Sequence, residues 1–408
     1  MLDITDKEKF IKRTWEIVDL DLCRHNVDCI RNHISRDCKI MYVIKADAYG
    51  NGAVIIGKEV EGIVDYFGVS SLDEALQLRN VGITKPILIL GYTPTECVDM
   101  LIKYDITQTV FSTEYAKKLS EASSDLKNKL KIHIKIDTGM SRLGFYSHDD
   151  VSAKKTCEEI FDLYKKYINV FEFEGIFTHF AVSDGISEKE TKFTENQFNI
   201  FIEVTENLKV KGLIFPLRHT CNSAATIRYP WMHLDMVRPG LILYGLYPGT
   251  DIKLQEIKPI MQLKSIITQI RQLYKGDTVS YGRMYKAEKD MTIATIPVGY
   301  ADGFLRGFTN NGEILVSGKR AAVVGRICMD QFMVDITGIE ATEGQTVTII
   351  GKDDNCGYNE KYKDEIFAEE LAERLNTINY EIVTSISKRI VRLYQRNGEI
   401  VDRLNYLI

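Results

Sequence analysis

Between residues 39 and 242, eight short apolar runs alternate with stretches long enough for a helix. The runs are KIMYVIK (39–45), YFGVSS (66–71), PILILGY (86–92), TQTVFS (107–112), KIHIKID (131–137), FEGIFTHF (173–180), FPLRHTCNS (215–223) and LDMVRPG (234–240). Each is short and rich in β-branched or aromatic residues, the pattern of a buried strand. The stretches between them include SLDEALQLRNVG (71–82) and residues 187–212, where Phe193, Gln197, Phe198, Phe201 and Ile202 recur at helical spacing and Gly212 offers a stop. Eight strand–helix units in about 250 residues predict a (β/α)8 barrel. A doubly wound sheet, with five or six strands, is the runner-up. In a barrel, chemistry sits at the C-terminal strand ends, and the runs finish at Lys45, Ser70, Gly91, Ser112, Asp137, His179, Asn222 and Arg238.

After about residue 257 the texture changes. Short strand patterns (MTIATIPVGY, EILVSGKRAAVVGRICMDQFMVDI, TVTIIG) are separated by turn signals such as YKGD and NNGE. One helix-like stretch, DEIFAEELAERLN (364–376), interrupts them. The chain therefore reads as an α/β barrel over 1–256 and a mainly β domain over 257–408, with the first 20 or so residues available to the β domain. The polar segment 353–365 reads as a mobile loop.

Several function classes drop out. Of 408 residues, 52 are Lys or Arg and 57 Asp or Glu, a net charge of −5. A mildly acidic chain lacks the basic field of a nucleic-acid binder. No apolar run approaches the length of about 18 residues that spans a bilayer, and MLDITDKEKFIKRTWE has no signal-peptide core. Eight cysteines never form C-x-x-C and read as reduced cytoplasmic thiols, with Cys221 and Cys328 as packed thiols rather than nucleophiles. Seven histidines show no H-E-x-x-H pattern, so no metal site is expected. Walker and dinucleotide fingerprints are missing; GNG at 50–52 lacks the third glycine.

The chemistry-bearing pattern starts at YVIKADAYGNG (42–52), a buried strand ending in lysine. A desolvated lysine at a barrel mouth can form a Schiff base with a carbonyl compound. His179 ends another strand. Asn222 and Ser223 lie in a small-residue turn suited to phosphate, and Arg238 stands beside Gly240, where backbone can approach a ligand. A lysine, a phosphate cup and an arginine on one rim suggest pyridoxal phosphate.

At this point the sequence resembles the alanine racemase family over nearly its whole length. The motifs are RTWEIVDLDLCRHN (13–26), YVIKADAYGNGA, DTGMSRLGF (137–145), THFA, CNSAAT, VRPGLILYG, VSYGRMY (279–285), IPVGYADG (296–303) and VGRICMDQFMVDI (324–336), in this order. The resemblance implies that Lys45 carries pyridoxal 5'-phosphate covalently and is the base for the D-substrate, with Tyr281 the base for the L-substrate. Tyr49, Ser223, Gly240 and Leu241 would hold the phosphate, the last two through backbone. Arg238 would face the pyridine nitrogen and Arg142 the phenolic oxygen and substrate carboxylate. His179 would lie against the ring and link Tyr281 to Arg238, which His219 braces. Met329 would contact the substrate carboxylate, with Cys328 and Asp330 supporting it. Lys135 matches a lysine that is carbamylated in many members and orients Arg142; Tyr300 matches an access-channel tyrosine. Tyr281 would act in the partner subunit's site, which implies a head-to-tail homodimer with two shared sites. The product, D-alanine, would serve peptidoglycan synthesis.

The physics is consistent with these roles. Two bases on opposite faces can exchange the α-proton without turning the substrate over. A tyrosine phenol ordinarily has a pKa of about 10, so a tyrosine base needs cations nearby. An arginine at the pyridine nitrogen gives up no proton and leaves the ring a weaker electron sink, which should limit transamination.

Three positions depart from the family pattern. Asn51 stands where His is common, Val391 where Pro is common, and Lys388 where some members carry a tyrosine near the substrate side chain and phosphate. Lys388 leaves open a serine or alanine/serine racemase of the vancomycin-resistance type, whose racemase domain follows a membrane domain; the chain is then a soluble piece of a longer protein. Further rivals are a pyridoxal-phosphate decarboxylase, which carries a glycine-rich phosphate loop and a carboxylate at the pyridine nitrogen, and a non-catalytic pyridoxal-phosphate-binding protein, usually a barrel alone.

Overall fold

The eight apolar runs become eight parallel strands, β1 (Lys39–Val43), β2 (Tyr66–Val69), β3 (Ile87–Ile89), β4 (Ile106–Val110), β5 (Leu130–Asp137), β6 (Phe171–Phe177), β7 (Leu217–His219) and β8 (Met236–Val237). The computed structural model describes residues 12–123, 127–249, 252, 254, 256–353 and 365–408. Most of the polar segment 353–365 lies outside them. Contacts divide the chain into two units, one of Arg24–Ala48 with Ala53–Ile257, the other of Met1–Cys23, Tyr49–Gly52 and Lys258–Ile408.

The first unit is the barrel. Its strands pair in the order β8-β1-β2-β3-β4-β5-β6-β7. The remaining seam is tied by Asp235 N–H to Arg218 O at 3.1 Å and Arg238 N–H to Cys221 O at 2.9 Å. Met41, Tyr66, Leu88, Phe177, Leu217 and Met236 form one buried cluster of strand side chains. Helix signals in the sequence act where they stand. Ser71 caps Leu72–Asn80 by accepting from Glu74 N–H. Ser187 and Glu190 form a capping box on Glu188–Val210. That helix buries Thr194, Gln197, Ile200, Phe201, Val204, Thr205 and Leu208. Phe193, read from the sequence as part of the apolar stripe, is instead exposed, because the buried face is offset by one residue along the helix.

The strand that delivers Lys45 ends abruptly. Ala46, Asp47, Ala48 and Tyr49 follow with φ of 52–56°, a turn of left-handed helix without glycine. Left-handed backbone costs an L-residue about 1–2 kcal/mol, so other contacts must hold this one. Ala46 N–H donates to Glu74 Oε1 at 2.7 Å, Ala48 N–H to Ile44 O at 2.9 Å, and Ala53 N–H to Asp47 Oδ1 at 2.9 Å.

The second unit is built on an eleven-stranded sheet. Thr14–Asp19 is an interior strand, third from one edge, antiparallel to Met261–Ile266 and parallel to Val391–Arg396. Beneath it Arg392, 1% exposed, meets the fully buried Glu16 at 3.3 Å. The same Nε donates to Gly50 O at 3.0 Å, and Tyr394 OH donates to Asn51 O at 2.9 Å. The segment 49–52 is thus fastened by the sheet's last strands. At Gly50, with φ of +91°, a β-carbon would stand 2.5 Å from Val383 O, so only glycine fits.

Ala46 is exposed, so substitutions there report backbone strain without repacking. Ala46→Val should lower the thermal midpoint, at a cost of about 1–2 kcal/mol. Ala46→Gly should leave it level or raise it, checked by thermal unfolding.

Candidate active site

Lys45 follows directly on the β1 end and is largely enclosed. Burial lowers its pKa, as does the nearby Arg142 cation, while Glu74 works against both. Lys135, on β5, sits with its ammonium 5.6 Å from the centre of the Phe177 ring. Its pKa falls to about 8, first through burial and then through Arg142 and Arg238. Period-two spacing along β5 turns His133, Lys135 and Asp137 to one side; all three are buried. Asp137 Oδ1 accepts from the N–H groups of Gly139, Met140 and Ser141 at 2.9–3.1 Å, and Oδ2 from Arg142 N–H at 3.2 Å. That carboxylate shapes the loop carrying Arg142. The sequence reading did not give it that role, although an Asp before Thr-Gly is a turn signal.

Arg238 enters from β8 and is almost wholly buried. Its Nη1 contacts His219 Nδ1 at 2.9 Å; Nη2 donates to Thr178 O at 2.8 Å and Thr220 O at 3.1 Å, with His179 Nδ1 at 3.4 Å. Phe177 is a platform missed in the sequence: Arg238 Cζ stands 5.2 Å over it, and His219 stacks on it at 4.8 Å and 7°. Burial pulls the Arg238 pKa down to about 10, which leaves the guanidinium charged at neutral pH. His179 is held well below its ordinary pKa by burial and by the cations Arg238, Arg142, Lys135 and Lys45. Four cations thus converge on one neutral ring. Among the described residues these contacts engage Nη1 and Nη2 of Arg238, and Nε–H has no protein acceptor.

Ser223 and Gly240 meet as well, with Gly240 N–H donating to Ser223 Oγ at 2.9 Å. Leu241 follows at a buried position. Asn222 accepts from Ala225 N–H at 3.0 Å and from Ser183 Oγ at 2.9 Å, which pins the turn that presents Ser223. The barrel therefore brings together Lys45, Lys135, Arg142, His179, His219, Ser223, Arg238, Gly240 and Leu241.

The other candidates lie in the second unit. Tyr281 is 73% exposed on a short turn whose Ser280 Oγ donates to Arg326 O at 2.8 Å and lies 3.6 Å from Cys328 Sγ. Tyr300 N–H donates to Cys328 O at 3.1 Å and Ala301 N–H to Met329 O at 3.0 Å. Asp330 pairs with Arg389 at 2.9 Å. Tyr281, Tyr300, Cys328, Met329 and Asp330 thus form one neighbourhood. Tyr49 lies 5.9 Å from Tyr380, ring to ring. Asn51 is buried and donates to Tyr49 O at 3.2 Å, a local turn bond. Lys388 is exposed, its ammonium 5.0 Å over the Tyr406 ring.

Among the described residues no helix is long and apolar enough to cross a membrane, and no cluster of His, Cys, Asp and Glu could hold a metal ion. Family models for the alanine racemase N-terminal and C-terminal domains match residues 18–248 and 260–394. The chain is 41% identical to alanine racemase 1 of Clostridium acetobutylicum, over 98% of this chain and all of that one. It is 42% identical to the alanine racemase of Clostridium tetani over the same shares. Among solved structures, the alanine racemase of Clostridium difficile 630 superposes with a TM-score of 0.89 at 41% identity, covering 98% of this chain and all of that one. The Bacillus anthracis alanine racemase with bound L-Ala-P superposes with a TM-score of 0.89 at 37% identity, covering 98% and 99%. The chain belongs to the alanine racemase family.

Proposed function

We propose that the interconversion of L- and D-alanine by this enzyme runs on pyridoxal 5'-phosphate, with Lys45 and the Tyr281 of the partner subunit as opposed bases. The observation that carries this reading is the placing of Lys45, Arg142 and Arg238 around neutral His179, with Arg238 Nη2 3.4 Å from its Nδ1. Such a cluster suits a ligand bearing a phosphate, a phenolate and a substrate carboxylate. The donor set fits the cofactor: Ser223 Oγ, Gly240 N–H and the Leu241 backbone for phosphate, joined by Tyr49, and Arg238 Nε–H for the pyridine nitrogen. Bound there, the cofactor supplies an electron sink conjugated to the substrate α-carbon, which makes the α-proton removable.

The chain's own groups do the rest. Arg142 binds the substrate carboxylate and Met329 of the partner subunit lies against it. Lys45, its basicity lowered by burial, takes or returns the proton at Nζ on one face. Tyr281 of the partner subunit does the same at its phenol oxygen on the other. The exposure of Tyr281, Met284 and Met329 on one chain, at 73, 51 and 53%, fits a surface that a second copy covers. Seven described cysteines are free thiols, in keeping with a reducing cytoplasm.

The test is an L-to-D assay on alanine and serine with Lys45→Ala and Tyr281→Phe. Each variant should lose about 10²–10⁴-fold in alanine turnover, and serine should turn over more slowly than alanine. An unchanged rate in Lys45→Ala would sink the mechanism.

Lys135 is expected to carry a carbamate. A lysine with its pKa lowered to about 8 is partly neutral near pH 7.5, and a neutral amine adds CO2, releasing one proton. The resulting anion would sit beside Arg142 and hold it. Enzyme incubated with 13C-bicarbonate should show a protein carbamate carbon resonance that vanishes in Lys135→Ala; a spectrum without it would refute the modification.

A further inference from the structure

The Arg238 guanidinium is one end of a line of side chains through the barrel interior. His219 Nδ1 faces it at 2.9 Å, and His219 Nε2 faces His133 Nδ1 at 2.8 Å. His133 Nε2 then stands 3.5 Å from Glu174 Oε2. Both rings are fully buried, whereas the Glu174 side chain is 19% exposed. Thr107 Oγ1 also donates to Glu174 Oε2 at 3.0 Å, and the buried Tyr66 hydroxyl faces the same carboxylate. Gly175 makes room for the line. A β-carbon there would lie 2.5 Å from the His133 ring.

The direction of these bonds is fixed by donors and acceptors alone. A guanidinium only donates, so His219 Nδ1 must accept and its hydrogen must be on Nε2. That hydrogen points at His133, whose Nδ1 must then accept and whose hydrogen is also on Nε2. Glu174 Oε2 stands 3.5 Å from that nitrogen, a charge–dipole contact rather than a formed hydrogen bond. A proton added to either ring would set N–H against N–H. The titration behaviour agrees. Burial lowers both imidazoles, so the rings are neutral. Burial alone would raise Glu174, but the Thr107 hydrogen bond and the neighbouring His133 and Tyr66 groups outweigh it and hold its carboxyl below the usual carboxylate range.

We propose that Glu174 is a positioning residue for racemisation: through two neutral imidazoles of single tautomer it is the remote counter-ion of Arg238, and it keeps that guanidinium oriented toward the cofactor nitrogen. The proposal rests on the role given to Arg238 above. Apart from Arg238, each of these side chains meets another polar group rather than substrate, so Glu174 acts only through the line.

Nitrogen-15 NMR of the full-length protein with labelled histidine tests this. In the wild type, His133 and His219 should both be neutral with hydrogen on Nε2, with or without cofactor. Glu174→Gln removes the anion and presents an amide that can donate to His133, so both rings should acquire Nδ1–H populations as His219 gives up its bond from Arg238. Its alanine kcat should fall by about tenfold or more with KM within about twofold. Thr107→Val, which keeps the charge, should preserve the tautomers. A charged ring or an Nδ1–H ring in the wild type overturns the proposal, and that measurement needs no variant to fold. Tautomers and kcat both unchanged in Glu174→Gln overturn it too. Full cofactor affinity in Arg238→Ala would instead strike the reading of Arg238, leaving the tautomer result standing.

Discussion

Everything in the barrel's upper interior is arranged around one buried guanidinium. Taking Arg238 out of water is expensive, and the cost is offset only if its donors find acceptors. Among the described residues no carboxylate contacts it. The barrel offers two backbone carbonyls, Thr178 O and Thr220 O, and two imidazoles. Each imidazole is usable only while neutral, and burial beside a cation keeps it so. Lys45, Lys135 and Arg142 share the same strand ends, where Glu74 and Asp137 offset part of their charge. Burial first, and then the neighbouring cations, lowers the pKa of Lys45 and Lys135.

The lysine's placement carries its own strain. Four residues without glycine hold left-handed backbone after the β1 end, a cost on the order of 5 kcal/mol over the turn. Strain of this kind persists only where surrounding contacts over-determine it. Glu74 fastens one side, and Arg392 and Tyr394 fasten residues 50 and 51 on the other. The motif YVIKADAYGNG is therefore a backbone requirement as much as a chemical one.

Much of this was legible in the residues. All eight barrel strands sit on the apolar runs, because a buried parallel strand is largely apolar and its neighbours have to return as helices. Capping residues at Ser71 and Ser187 marked helix starts because their chemistry is local. Phe193 misled, since an aromatic at the edge of a stripe has the right spacing and the wrong azimuth. Phe177, Glu174 and His133 were not assigned roles, because their contacts join different strands and no local spacing encodes them. Lys388 is oriented by Tyr406, eighteen residues on, a placement the sequence left open.

The central claim is that the two bases of one site come from two chains. Lys45→Ala and Tyr281→Phe proteins, each inactive alone, can be co-expressed or unfolded and refolded together in equal amounts. Half the random dimers are then mixed, and one of their two sites pairs an intact Lys45 with an intact Tyr281 of the partner subunit. Alanine racemase activity should return to about one quarter of wild type. A mixture as inactive as its components would contradict a shared site and place both bases within one chain.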